Sequence, residues 1–542
     1  MTRDHPTTQA AAMTPAKQTA LDWIASSAER LSADHMTLWH LHEPAWREYR
    51  SAAWYAERLR AEGFTVEEGS AGMPTAFCAD WTSPAGDGKC IGAYAEYDAV
   101  PGCSQEAVPY RKPRAGHHPS AAGHTDPHSA LGMGGLTGVL ALKAAMEAHG
   151  IPGRIRFMGE PAEKMCGSKP IHASHGYYDG MDAAISFHPT SLPALSNTVL
   201  WDTHCGAYWS KVYTFTCPEP HTFGGAGDRK GVQNYHAVAR APAALDALVM
   251  MYSVTQATKE NMLPHAGSWS LNEAILNGGF ATSDNLPPRH AELQYAWRCP
   301  SVAMAEAIER VLDNNAEHVA AITHCEVTSG WVTKTRPGLA NHALAETTFA
   351  NFKLVGAPEF PEDARAFARE IQRGLGHELD VNPFPDNLEE LVEPQEGEAM
   401  IRSILPAWQT NYTSDDYTDY TWHTPTVRLY VGRPVPRPPA DGSVLPHWCR
   451  WALGGVPAAM DPMFLKAGQV IATTALDLLM DGRSLDAARA EFNDRTDGGI
   501  GGSQWLGPLL GDQAPAPVHY PWPQWTETPD GHVWSVSPRP GD

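Results

Sequence analysis

Three things are scarce in this sequence. It has no C-x-x-C pair: nine cysteines lie scattered along 542 residues. An odd number without zinc-finger spacing or a disulfide framework points to reduced thiols. Positive charge is short, with 40 Lys and Arg against 62 Asp and Glu and a net charge of −22. That balance argues against nucleic acid or an anionic membrane as a partner. No apolar run looks long enough to cross a bilayer, and the first ten residues, M-T-R-D-H-P-T-T-Q-A, lack the apolar core of a signal peptide. The expectation is a cytoplasmic protein with no membrane partner. What is present is ordinary globular material, 43% hydrophobic and 19% charged, with 18 Trp that suggest aromatic-lined surfaces or pockets. At this length a single core is not expected, so the chain should divide into domains.

The densest chemistry lies in A-G-H-T-D-P-H-S-A-L (122–131), where His124, Asp126 and His128 fall within five residues. An extended backbone would send Asp126 and His128 the same way, and Pro127 would stiffen the segment between them. A carboxylate and an imidazole converging from one loop edge suit a divalent metal. Acids and histidines also close several apolar segments. K-C-I-G-A-Y-A-E-Y-D-A-V-P-G (89–102) runs into Glu96 and Asp98. R-I-R-F-M-G-E-P-A-E (154–163) runs into Glu160 and Glu163, and A-A-I-S-F-H-P (183–189) into His188. Open α/β sheets place their sites at such strand ends.

Helical spacing covers 16–63, and a helix is expected over 131–149. Strands are expected at 64–66, 76–81 and at the three segments above. From about Thr203 the pattern reads β-α-β-β-α-β: strands near 211–216, 268–277, 291–298 and 322–331, with helices at 235–252 and 302–318. Helices follow at 340–353 and 363–375, then a strand at 426–431 and a last helix at 464–480. The expected division is a catalytic domain in two parts, 1–203 and 338–497, around an inserted domain, 204–337. A Gly-, Pro- and Trp-rich extension, 498–542, reads as an irregular wrap or a partly mobile tail.

Taken in order, M-P-T-A-F, A-E-Y-D-A-V-P-G-C-S-Q, G-H-T-D-P-H-S-A-L-G, E-P-A-E-K-M-C-G-S-K, S-F-H-P, E-P-H-T-F and T-S-D-D-Y-T-D-Y-T-W resemble a known family. It is the metal-dependent amidohydrolases and peptidases that include aminoacylase and auxin-conjugate hydrolase. The resemblance implies a mixed-sheet α/β catalytic domain of the zinc-exopeptidase type, with an inserted ferredoxin-like lid and dimerisation domain. It implies one metal held by Asp126, at a position where the similar branch has a bridging Cys, with His128 and His188. A ligand Glu of the family's second metal falls on Lys164, and a His ligand on Met460. One divalent ion per chain, Mn²⁺ or Zn²⁺, is therefore expected, with the Lys164 ammonium near the second position. His447 or Asp461 could instead rebuild that second site. Glu163 matches the general base, with Glu160 the competitor by proximity. Asp98, Glu96 and His124 would stand behind the ligands. His221 matches a histidine that reaches a neighbouring subunit's site and stabilises an oxyanion. Asn285 and Arg298 match positions that hold a substrate carboxylate.

The function this implies is hydrolysis of a C–N bond, an amide, in a small carboxylate-bearing substrate, with or without an aryl group, by a homodimer paired through the inserted domain. Two alternatives stay open: an aminohydrolase acting on an aminoaromatic compound, and a non-catalytic binding relative.

Overall fold

The computed structural model describes residues 11–115, 117, 120–218, 242–263, 269–279, 288–378, 381–439, 441–511, 523–528 and 531–536. The chain opens with α1 (Pro15–Leu41) and α2 (Tyr49–Ala61). The expected single helical region is broken between them, where His42 and Trp46 take left-handed φ values of 31° and 63° around Pro44.

The larger sheet uses β1 (Thr65–Glu68), β2 (Phe77–Thr82), β3 (Cys90–Ala95), β4 (Arg154–Gly159), β5 (Ala183–Thr190), β6 (Thr198–Val199) and, much later, β11 (Thr426–Gly432). Its order is β1-β2-β4-β3-β5-β11-β6. The central strands β4, β3, β5 and β11 pair in parallel, and the flanking pairs are antiparallel. This is a mixed α/β sheet. Its central strands are buried on both faces, which is why they read as unbroken apolar runs.

Helix α3 (His128–His149) begins at His128 itself, so that imidazole stands at a helix N-terminus and not in an extended loop. Helix α11 (Pro457–Met480) packs along α3, and α1 packs on both. The contact is close: a Cβ on Gly138 would lie 2.5 Å from Ile471, and one on Gly468 would lie 2.4 Å from Thr137. Glycine is required at that crossing. Both α3 and α11 have the length and apolarity of membrane spans, contrary to the expectation that no such run exists. Their apolar windows are 89% and 67% buried within the fold, so they are core helices.

A second, four-stranded antiparallel sheet is built from β7 (Ala207–Thr216), β8 (Ser270–Asn277), β9 (His290–Cys299) and β10 (Glu326–Lys334), in the order β10-β7-β9-β8. Helices α5 (Ala244–Met262) and α6 (Val302–Thr323) cover it around a separate core. α6 runs to Thr323, so the last strand starts later than the sequence pattern placed it. Short α4 (Ser168–Ser174) lies in the first part of the chain. α7 (His342–Val355), α8 (Glu362–Gly374), α9 (Pro394–Ser403) and α10 (Trp448–Leu453) belong to the last part. A further helix, α12 (Gly482–Thr496), was not anticipated. Asp481 caps it, and it buries Leu485, Ala488 and Phe492. Within the extension, β12 (Pro523–Thr528) and β13 (Gly531–Val536) form a hairpin where only irregular chain was expected. All nine cysteines are free thiols.

Candidate metal centre and active site

The C-terminal ends of the parallel strands converge on one point. Asp98 lies just past β3 and is fully buried. One of its oxygens accepts a hydrogen bond from His128 Nδ1 at 2.7 Å, and the other accepts the Lys164 backbone N–H at 2.8 Å. Asp98 thus fixes the imidazole's orientation and joins the start of α3 to the turn after β4. That arrangement is typical behind a metal-binding histidine. His128 Nε2 then faces Glu163 Oε2 at 3.2 Å and Glu96 Oε2 at 3.5 Å. None of these three buried atoms has a hydrogen bond of good geometry.

His188, at the end of β5, donates from Nδ1 to the Pro189 carbonyl at 2.7 Å, which leaves Nε2 free to accept. Its ring centroid lies 6.3 Å from that of His128. Burial and the Arg428 charge lower its pKa to about 4, so it is neutral near pH 7 and able to bind a metal. Burial and Lys164 oppose charge on His128, yet the Asp98 hydrogen bond and the close Glu163 carboxylate outweigh them and lift it to about 10. The same carboxylates that favour a proton on Nε2 would favour a dication there.

Ligand atoms of Glu96, His128 and His188 all lie within 4.8 Å of one another, as do those of Asp98, His128 and Glu163, and those of Glu163, Cys166 and Asp416. The donor set, two imidazoles and carboxylates with orphaned buried atoms, fits a divalent metal ion. Asp126 is in none of these groups. Lys164 Nζ holds it at 2.7 Å, and Arg433 donates to its other oxygen at 3.4 Å. The structure therefore brings His128 and His188 together with Glu96, while Asp126 stands beside them in an ion pair. That pair drives the Asp126 carboxyl well down, chiefly through Lys164.

Glu163 begins a one-turn 3₁₀ segment, flanked by Ala162 at φ 55° and Cys166 at φ 49°. Left-handed backbone at non-glycine residues is strained by roughly 1–2 kcal/mol each. Glu48, in the break before α2, accepts the Ala162 N–H at 2.8 Å and so holds the turn. Burial opposes charge on Glu163, but Lys164 at 3.4 Å and His128 keep it ionised, well below the usual carboxylate range. Glu160 is engaged elsewhere: it accepts from Ser168, His172, Tyr178 and Tyr420 at 2.8–2.9 Å. Those four donors leave it no free lone pair for a proton in transit.

No family model matches the sequence. The chain is 25% identical over 490 residues to a component of the p-aminobenzoyl-glutamate hydrolase of Escherichia coli K12, covering 88% of this chain and 94% of that one. It is 27% identical over 337 residues to the Xaa-Arg dipeptidase of Mus musculus, covering 59% of this chain and 67% of the relative. The chain is thus similar in sequence to hydrolases that act on amide bonds. Its fold is similar to that of a crystal structure described as a putative aminohydrolase from methicillin-resistant Staphylococcus aureus. That match has a TM-score of 0.51 at 15% identity, and it covers 85% of this chain and all of the other.

Set against that homology, the remaining expected residues fall as follows. Arg298, on β9, donates to the Ser414 carbonyl at 3.0 Å and its hydroxyl at 2.6 Å, and lies over the Tyr208 ring. His124 is buried with its Nε2 3.4 Å from the Leu38 carbonyl. His447 is exposed beside α10, and Asp461 lies in α11 next to the buried Met460. Among the described residues, neither His447 nor Asp461 joins a metal-ligating group. His221 and Asn285 lie outside the described residues.

Several residues of the site were not singled out from sequence. Lys169 Nζ bridges Glu96 at 2.8 Å and Asp416 at 2.7 Å, all three without solvent exposure. Arg428, on β11, pairs with Asp415 at 2.5 Å and donates to Tyr94 and Ser186. The available signals were an arginine inside the apolar run T-V-R-L-Y-V and paired acids in T-S-D-D-Y.

Proposed function

We propose that this protein is a metal-dependent amidohydrolase that cleaves the C–N bond of a small, carboxylate-bearing substrate, with Glu163 as general base. The observation that carries this reading is the set of orphaned buried atoms, His128 Nε2, Glu96 Oε2 and Glu163 Oε2, facing one another beside a cavity lined by His188 and Asp126. Binding alone has no need of an ionised carboxylate held at that point by a turn between two left-handed residues. His128 and His188 would hold one divalent ion, Mn²⁺ or Zn²⁺, with a carboxylate from Asp126 or Glu96. Such an ion, when bound, polarises the scissile carbonyl and makes water a competent nucleophile near neutral pH.

Glu163 is ionised and held by its turn, so it can take the proton of the attacking water and return it to the leaving nitrogen. Asp98 keeps His128 in one orientation throughout. Lys164 supplies a fixed positive charge 2.7 Å from Asp126. An ammonium there supports a single ion per chain, because a second dication beside it would be repelled. Residues 204–337, whose β-α-β-β-α-β order carries the second sheet, would act as a ferredoxin-like lid and pair two chains into a homodimer. The free thiols suit a cytoplasmic setting.

The test is a panel of N-acyl amino acids, aminobenzoyl conjugates and aminoaromatic acids, assayed for both amine and ammonia release, before and after chelation. Amine release abolished by chelator and restored by Mn²⁺ or Zn²⁺ is expected. Ammonia release from the aminoaromatics alone would move the reading to an aminohydrolase. Metal binding without turnover of any member would move it to a binding protein.

A further inference from the structure

A cavity of about 280 Å³ borders the site, with Asp126 and His188 in its wall. Three arginines and two acids line it: Arg428, Arg433, Arg450, Asp126 and Asp415. Arg428 is committed, since it is 1% exposed, paired to Asp415 and bonded to Tyr94 and Ser186. Arg433 is only partly satisfied. Its side chain is 6% exposed, and its guanidinium bonds the Thr125 carbonyl at 3.1 Å and reaches Asp126 at 3.4 Å, but Lys164 holds Asp126 more closely. Arg450, on α10, is solvent-exposed and has no ion pair or side-chain hydrogen bond among the described residues.

One guanidinium whose only carboxylate, Asp126, is shared with Lys164, and one with no ion pair among the described residues, thus face one cavity, in a chain of net charge −22. Arginine's planar fork matches a carboxylate with two parallel hydrogen bonds, and a buried, half-paired guanidinium gains most from such a partner. Much of the rest of the wall is apolar or aromatic, including Leu195, Leu200, Ile401 and Tyr412. Arg298 is not part of this wall.

We propose that Arg433 and Arg450 form the subsite for the substrate's anionic group, a carboxylate on an aliphatic or aryl body that fills this cavity. This rests on the amidohydrolase reading for the identity of the reaction, though not for the binding of the anion. It also fixes a direction: the charged end of the substrate lies toward α10, on the side of Asp126.

Two measurements test it on the metal-loaded, full-length protein. In the first, matched N-acyl amino acids and their neutral carboxamides are compared as substrates. Arg450→Met is expected to lower the ratio of kcat/KM for acid over carboxamide by about 10–100-fold, the range for losing a charge-assisted hydrogen bond, and Arg450→Lys to restore part of it. In the second, benzoate is titrated calorimetrically, with no turnover required. Arg450→Met is expected to weaken benzoate by at least about tenfold on the same ground. If no amide is hydrolysed yet benzoate binding depends on Arg450, the reaction assignment fails and the subsite stands. If neither the ratio nor benzoate affinity responds to Arg450→Met or to Arg433→Lys, the subsite is overturned, and anion binding by the metal alone accounts for any residual affinity.

Discussion

Replacing Lys169 by Met tests how the site is held together. The ammonium sits between Glu96 and Asp416 at 2.8 and 2.7 Å, with no solvent on any of the three. At an effective dielectric near 20, each contact amounts to roughly 6 kcal/mol of gross attraction. Desolvation of the three charges offsets much of it. Removing only the cation leaves two buried carboxylates uncompensated, which costs about 3–5 kcal/mol. The acids can relieve this by taking up a proton. Burial already raises Glu96 to about 7 and pushes Asp416 up as well. In Lys169→Met the folded protein's carboxylates should hold about one proton more than those of wild type, while the unfolded chains differ little in their carboxylates. The stability deficit should then grow by about 1.4 kcal/mol per pH unit as pH rises, and shrink as it falls. Urea unfolding of both proteins at a series of pH values measures this. Adding Asp416→Asn should recover part of the loss, because it deletes one of the stranded charges. A deficit under about 0.5 kcal/mol, the level of an ordinary surface substitution, or one that does not change with pH, would refute the reasoning.

Glu163→Gln keeps size and hydrogen bonding but cannot accept a proton. It is expected to lower kcat by about 10²–10⁴-fold with metal content unchanged, read by steady-state kinetics and elemental analysis; retained activity would remove Glu163 as the base. Anomalous scattering at the metal edge is expected to give one peak per chain, touching His128 and His188. Two peaks about 3.5–4 Å apart, the spacing of a co-catalytic pair, would contradict the role given to Lys164. Burial holds His35, His42 and His204 neutral, with pKa values of about 3. Because these folded-state values lie below the unfolded value of about 6.5, stability is complete above that pH. It falls on acidification toward pH 3 by about 1.4 kcal/mol per pH unit for each histidine. His204→Gln should flatten that fall by one histidine's share in urea melts, and an unchanged slope would count against it.

Much of this architecture was legible in the residues because its signals are local. Strands β3, β4 and β5 are short apolar runs ending in acids or histidine, and that is where Glu96, Asp98, Glu163 and His188 stand. The start of α3 was harder to read, since Pro127 and His128 suit both an extended loop and a helix N-terminus. α12 was passed over because its apolar stripe is thin and Gly482 looked like a stop. The break before α2 depends on left-handed His42 and Trp46, and neither residue type announces that conformation. The charge web was the least visible part. Lys169 lies 73 residues from Glu96 and 247 from Asp416, and no periodicity connects such distant positions. The pairing of Asp126 with Lys164, 38 residues apart, is a tertiary event of the same kind.

The span of that web also bears on how the protein is made. Glu96 and Lys169 leave the ribosome early, while Asp416, Asp415 and strand β11 leave late. Until then, Lys169 has one of its two acids, β5 has an open edge where β11 will pair, and Arg428 is absent from Tyr94 and Ser186. The first 203 residues hold the imidazoles and the base, yet they lack the charges and the strand that lock them. A nascent chain, or a fragment ending before residue 415, should therefore carry an exposed parallel edge and a stranded ammonium. Such a species is expected to be aggregation-prone until β11 and Asp416 arrive.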